Sequence, residues 1–169
     1  MGDVVEVSAT LGPTLGHEFT HRELLIEALT HPSAARRRGR LRRGYDRLEF
    51  LGDRVLGLIV AELLWRRFPQ EAEGELTRRH TDLVRHEALA EVAQAVGLGQ
   101  HLIVSAGEDA AGVRENASVL ADVCEAVIAA LYLDGGLAGA TRFVDRSWEE
   151  RLAASGAPKR DHKTALQEW

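Results

Sequence analysis

The chain has a single cysteine, Cys124, which excludes an internal disulfide framework and suits a reducing compartment. No stretch reaches the roughly 18 uninterrupted apolar residues of a membrane span. The opening residues, Met1-Gly2-Asp3-Val4-Val5-Glu6, lack the basic and apolar regions of a signal peptide, and position 6 lacks the Ser or Thr of a myristoylation site. A soluble, cytoplasmic protein without a membrane partner is expected. Aromatics are scarce, at 5% of residues, and no convincing alternation of apolar and polar residues marks a strand. Alanine, leucine and valine dominate instead, so the expected fold class is all-α. Lysine is nearly missing, with 2 against 19 arginines. That bias suits phosphate contacts without requiring them.

The 169 residues make one domain of ordinary size, and the net charge of −5 argues weakly against a nucleic-acid partner. The distribution of charge matters more than its sum. Arg36, Arg37, Arg38, Arg40, Arg42 and Arg43 crowd into one segment, while acids gather elsewhere. Residues 1–19, with Gly12, Pro13 and Gly16, are expected to be irregular or partly ordered. Thr20-His21-Arg22-Glu23 has the form of a capping box opening a helix that His31-Pro32 ends. The arginine-rich stretch 33–44 reads as a loop. A long buried helix is expected from Asp46 to about Phe68, then one capped by Thr77 and reaching about Val96. Residues 97–112 read as a connection. A second strongly apolar helix runs from Asn116 to Leu133, Asp134-Gly135-Gly136 closes it, and a last amphipathic helix follows to Ala153.

Carboxylates on the two apolar helices carry the chemistry. Asp46, Glu49 and Asp53 fall at i, i+3 and i+7, and Asp122 and Glu125 at i and i+3, so each set shares one helix face. The plain alternative is that such a pair is a solvated face. Two pairs, each among apolar neighbours (Leu48, Phe50 and Leu51; Leu120, Val123, Ala126 and Val127), weaken it. Arg47 and Arg54, next to the acids in sequence, are expected to point away. If the helices face each other, four acids converge, a strongly destabilising cluster unless a cation compensates. Oxygen-only donors favour Mg²⁺ or Mn²⁺ over zinc, and two such ions could activate water for phosphoryl hydrolysis. A helical diiron oxidase needs Glu-x-x-His on two helices, and only Glu18–His21 has that spacing.

Asp46-Arg-Leu-Glu-Phe-Leu-Gly-Asp-Arg-Val-Leu56 resembles the signature motif of the ribonuclease III family. Leu29-Thr-His-Pro-Ser33, Glu73-Gly-Glu-Leu-Thr77 and the stretch from Leu120 to Asp134 resemble three further blocks of that family, in its order and spacing, over roughly residues 20–153. The resemblance implies an endonuclease domain at 1–153, with the family's helical fold. It implies a homodimer that cleaves double-stranded RNA with Mg²⁺ in RNA processing, ribosomal RNA included. The products would carry 5′-phosphate and 3′-hydroxyl ends with two-nucleotide 3′ overhangs. Glu49, Asp53, Asp122 and Glu125 match the family's four catalytic, metal-site acids. Asp46 and Glu73 match two further acids near the scissile region, although the family usually has Glu where this chain has Asp46. Lys163–Trp169 resembles the opening of a double-stranded-RNA-binding domain. Residues 154–160 are therefore expected to be a linker, and 161–169 the start of that domain, cut short.

Lesser features are weighed against plainer readings. The arginine loop is a solvated segment or, through Arg36, Arg37 and Arg38, a set of RNA-phosphate contacts. Phe50 is a core residue or, by the family's dimer, an anchor at the two-fold interface. Cys124 is expected in the core, and His80, His86 and His101 show no metal spacing. The rival function is a non-catalytic homologue that keeps the fold to bind duplex RNA.

Overall fold

The computed structural model describes residues 2–35 and 44–155. The arginine segment 36–43, with its phosphate-contact candidates Arg36, Arg37 and Arg38, lies outside the described residues, as do the linker beyond 155 and residues 161–169. Among the described residues eight α-helices follow in order: α1 Gly2–Leu15, α2 Arg22–Ala28, α3 Pro32–Ala35, α4 Asp46–Arg67, α5 Glu73–Val84, α6 His86–Ala95, α7 Ala106–Ala110 and α8 Ala117–Ser155. Short 3₁₀ turns at Leu98–His101 and Val113–Glu115 punctuate the connection into α8. The extended pairing among the described residues is a lone parallel bridge between Thr30 and Ile103. No helix of the described residues is long and apolar enough to cross a membrane.

The all-α expectation holds, and its centre is the packing of α4 against α8, the most extensive helix–helix contact among the described residues. Leu48, Val55, Leu56, Ile59, Val60 and Leu64 of α4 are buried against the continuous run Val123–Leu131 of α8. Burial at about 25 cal/mol per Å² of apolar surface makes this contact the main stabilising element. Close approach depends on Gly52. A Cβ there would stand 1.8 Å from the carbonyl oxygen of Glu125, so the two backbones touch where the acids are carried. Gly136, at φ 65° and ψ −172°, breaks α8 where the Asp134-Gly-Gly sequence predicts an end. The far half returns to the core through Phe143, Val144 and Trp148.

Several boundaries differ from the sequence reading. Residues 2–15 are helical, not irregular, because Leu11 and Leu15 are buried in the common core and Arg146 donates to the Thr14 carbonyl. Thr20 caps nothing with its side chain. The backbone N–H groups of Thr20 and His21 donate instead to Asp134, at 3.0 and 2.8 Å. That carboxylate, from a distant part of the chain, holds the N–H of the N-cap residue His21 and of the residue before it, fixing the entry into α2. The helix expected from Thr77 to Val96 starts earlier, at Glu73, where Glu75 accepts from the Ala72 N–H at 3.2 Å. It also breaks at Arg85, whose backbone is extended (φ −69°, ψ 152°). Next to the break, the buried indole of Trp148 donates to the Leu83 carbonyl at 2.9 Å.

Candidate functional site

The tight α4–α8 contact brings Asp46 and Glu49 of α4 and Asp122 and Glu125 of α8 into one field. Glu125 is the most enclosed, 5% exposed. Burial, then the charges of Glu49 and Asp122, push its carboxyl up to about 7. Burial raises Glu49 too, followed by Asp122 and Asp46. Asp122 is raised chiefly by burial and by Asp46, against the opposing influence of His86, Tyr45 and His31. Three of the four acids thus resist ionisation, first because each is buried and then because each senses another across the helix pair. Asp46 belongs to the same field, one turn ahead of Glu49.

Asp53 departs from expectation. Arg54 does not point away: its guanidinium pairs with Asp53 and lies over the Phe50 ring, 5.0 Å from the centroid. It is also the one cation whose charge lowers the Glu125 carboxyl. Adjacent residues on a helix project about 100° apart, but a long guanidinium side chain bridges that difference. Glu73 stands apart from the four, at the first turn of α5, bonded to the Thr77 hydroxyl at 2.9 Å. It lines a groove with Leu58, Trp65, Leu76 and His80. Phe50 is not in the core. It is 67% exposed, on the side of α4 that also shows Leu58 and Trp65.

Sequence reasoning missed Tyr45. It is buried at the start of α4, and burial, then the charges of Asp122, Glu49 and Asp46, raise its phenol well above the ordinary value. Its place directly before Asp46 was the available signal. It also missed His31 and His86, whose charges act on Asp122, and His86 on Glu49. Nothing in their spacing marks them. Cys124 is buried, as expected, with its thiol pushed up by burial and then by Glu125. His80 holds a structural position, its Nε2–H donating to the Gly57 carbonyl at 2.9 Å.

A divalent ion fits this donor set in chemistry but not in finished geometry. The donors are carboxylate oxygens, suited to hard cations, and their raised pKa values show negative charge in want of compensation. Among the described residues, however, no group of three His, Cys, Asp or Glu side chains stands close enough to hold a metal ion. Convergence needs side-chain rotation, above all release of Asp53 from Arg54.

Comparisons with known proteins agree on the lineage. A family model described as ribonuclease-III-like matches residues 21–152. Ribonuclease 3 of Azorhizobium caulinodans is 52% identical over 161 residues, covering 95% of this chain and 68% of that protein. Ribonuclease 3 of Nitrobacter winogradskyi is 49% identical, covering 96% of this chain and 61% of that protein. The chain therefore spans about two thirds of the length of these relatives. Among solved structures, the nuclease domain of ribonuclease III from Campylobacter jejuni superposes with a TM-score of 0.78 at 35% identity, over 90% of this chain and 97% of that one. A second structure of the same domain is described as flexible in a region involved in dimer formation. Dicer from Pichia stipitis, at 23% identity and a TM-score of 0.61, shares the fold. With the family model spanning residues 21–152 and relatives about half identical over nearly the whole chain, this chain belongs to the ribonuclease III family.

Proposed function

We propose that this domain hydrolyses phosphodiester bonds of double-stranded RNA in a Mg²⁺-dependent reaction, leaving 5′-phosphate and 3′-hydroxyl ends with two-nucleotide 3′ overhangs. The observation that carries the proposal is the un-neutralised carboxylate field shared by α4 and α8, centred on Glu125 with its carboxyl near 7. Glu49, Asp53, Asp122 and Glu125 would hold the cation, with Mn²⁺ as a substitute. Bound there, the ion supplies Lewis acidity for activating water and stabilising the leaving oxygen. The chain's own part is to bind and orient. Glu125 holds a proton near neutrality in the free domain and gives it up as the cation is bound. Gly52 lets the two helices close on the site. Asp46 lies within the field and is placed to act beside the four, whereas Glu73 faces the α4–α5 groove.

The working unit in this proposal is a homodimer. Phe50, Leu58 and Trp65 form an exposed apolar stripe on α4, continuous with a groove of about 540 Å³ between α4 and α5. A stripe beside a groove is self-complementary when two copies meet about a two-fold axis. The pairing of Asp53 with Arg54 favours a second reading, a homologue that binds duplex RNA without cutting it. Incubation of the protein with duplex RNA, with and without Mg²⁺, followed by mapping of the ends, separates the two. Staggered cuts that require Mg²⁺ and vanish in Glu125→Gln support cleavage. Binding without any cleavage overturns it.

A further inference from the structure

His31 stands at the corner between α2 and α3, where the backbone leaves it little freedom. Its N–H donates to the Ile103 carbonyl at 2.9 Å, and its carbonyl accepts from Ala34 at 2.9 Å and Ala35 at 3.3 Å. The half-buried ring is held as firmly. The Ser33 N–H donates to Nδ1 at 3.2 Å, and the Ser33 hydroxyl lies 2.8 Å from the same atom. That hydroxyl oxygen accepts from the Ser105 N–H at 3.2 Å, which leaves its own proton for Nδ1. A backbone N–H can only donate, so Nδ1 is an acceptor and the neutral ring carries its proton on Nε2. Nε2 has no hydrogen-bond partner among the described residues. No buried side-chain polar atom there is left without one, so Nε2 is open to solvent.

The corner that carries this donor packs against the acids. The His31 ring meets Tyr45, the residue before Asp46, edge-on at 5.8 Å between centroids. A Cβ on Gly44 would stand 3.0 Å from both the Pro32 Cα and an Asp46 carboxylate oxygen. The charge of His31 is also felt at Asp122. We propose that His31 is a substrate-contact residue: its Nε2–H, held as a donor by Ser33, bonds a backbone oxygen of the RNA strand laid along the acids. The inference rests on the reading of those acids as the cutting site. Bracing the corner needs Nδ1 alone, and an asparagine oxygen could accept from the Ser33 N–H as well, so the outer N–H is the group to be explained. Duplex RNA offers acceptors of two kinds there, phosphate oxygens and 2′-hydroxyls, and contacts to either set register rather than read sequence.

The test pairs a variant of the protein with variants of the duplex, reading kcat/KM in Mg²⁺ for the full chain. His31→Asn keeps an acceptor for the Ser33 N–H but lacks the outer donor. It should lower kcat/KM about tenfold to a hundredfold while keeping the helical circular dichroism of the parent. The duplexes carry one methylphosphonate linkage or one 2′-deoxy nucleotide at successive positions beside the cut. On one of them parent and variant should become equal, which names the contact as a phosphate in the first case and a 2′-hydroxyl in the second. If the variant loses as much on every substituted duplex, or cuts the unmodified duplex as well as the parent does, the inference is overturned and the acids remain the cutting site. A parent chain that cuts no duplex overturns both. A measurement on the parent guards against a variant that fails to fold. Nitrogen NMR of the His31 ring should show its proton on Nε2, and that nitrogen should shift when duplex RNA is added without Mg²⁺. A proton on Nδ1, or an Nε2 resonance that does not move, overturns the proposal.

Discussion

Glu125 concentrates the conflict between stability and function in one residue. Its folded pKa, about 7, lies above its unfolded value, so its contribution to stability is full below about pH 4.5. It is lost as pH rises through 7. The metal-free domain should therefore melt at a lower temperature at pH 8 than at pH 5.5, and Mg²⁺ should restore much of the difference, as calorimetry can show. Glu125→Gln removes the burdened charge. It should abolish cleavage yet stabilise the metal-free domain at pH 8 by something on the order of 1–3 kcal/mol, read as a higher melting temperature, with the gain fading at pH 5. Asp134 has the opposite sign. Burial works to raise it, but hydrogen bonds from His17, the His21 and Thr20 N–H groups and the His21 ring outweigh that and hold it at about 2. Its stabilisation is present above about pH 4 and is lost as pH falls through 2. Asp134→Asn should destabilise the domain by about 1–3 kcal/mol at pH 7, as denaturant titration would measure. The four candidate acids could be picked out because each pair lies about one helical turn apart, where spacing fixes the face. Asp134, Tyr45 and His86 were not, because each acts on a group far away in sequence.

Helices reveal themselves in sequence when an apolar run decides their length, and α4 is the example. Its expected span, Asp46 to about Phe68, matches Asp46–Arg67 because Pro69 and the polar stretch beyond it leave little choice. The break between α5 and α6 had no such signal. Arg85 is an ordinary helix former, and its extended backbone is set by tertiary contacts such as the Trp148 indole on Leu83. The α1 helix was hidden by Pro13 and two glycines, and only burial of Leu11 and Leu15 shows why it forms. At this scale the sensitive position is Gly52. Adding a methyl group forces α4 away from the Glu125 carbonyl, since backbone cannot step aside as a side chain can. Gly52→Ala should cost about 1–3 kcal/mol or more in urea unfolding. It should also weaken Mn²⁺ binding, because the two carboxylate pairs separate with the helices. Parent-like Mn²⁺ affinity in a folded Gly52→Ala protein would count against the helix contact as the device that assembles the site.

For the molecule as a whole, the exposed stripe of Phe50, Leu58 and Trp65 points to life as a pair. Such large apolar groups are uncommon together on a lone monomer. Phe50→Ala combined with Trp65→Ala should weaken self-association by about 2 kcal/mol or more, roughly thirtyfold or greater, with the fold retained. Sedimentation at several concentrations would measure it, and an unchanged association constant would remove this face as the interface. The fold class was readable throughout, but the exposure of Phe50 was not, because a residue that faces a partner and one that faces a core look alike in a single sequence. The contact between Gly52 and Glu125 has a last consequence, in time rather than in energy. It joins segments far apart in the chain, so the acids meet only after a long loop has closed. If that contact forms after the rate-limiting step, a cation engaging both helices should leave the refolding rate nearly unchanged and slow unfolding instead. The domain would then owe its persistence to ions that play little part in building it.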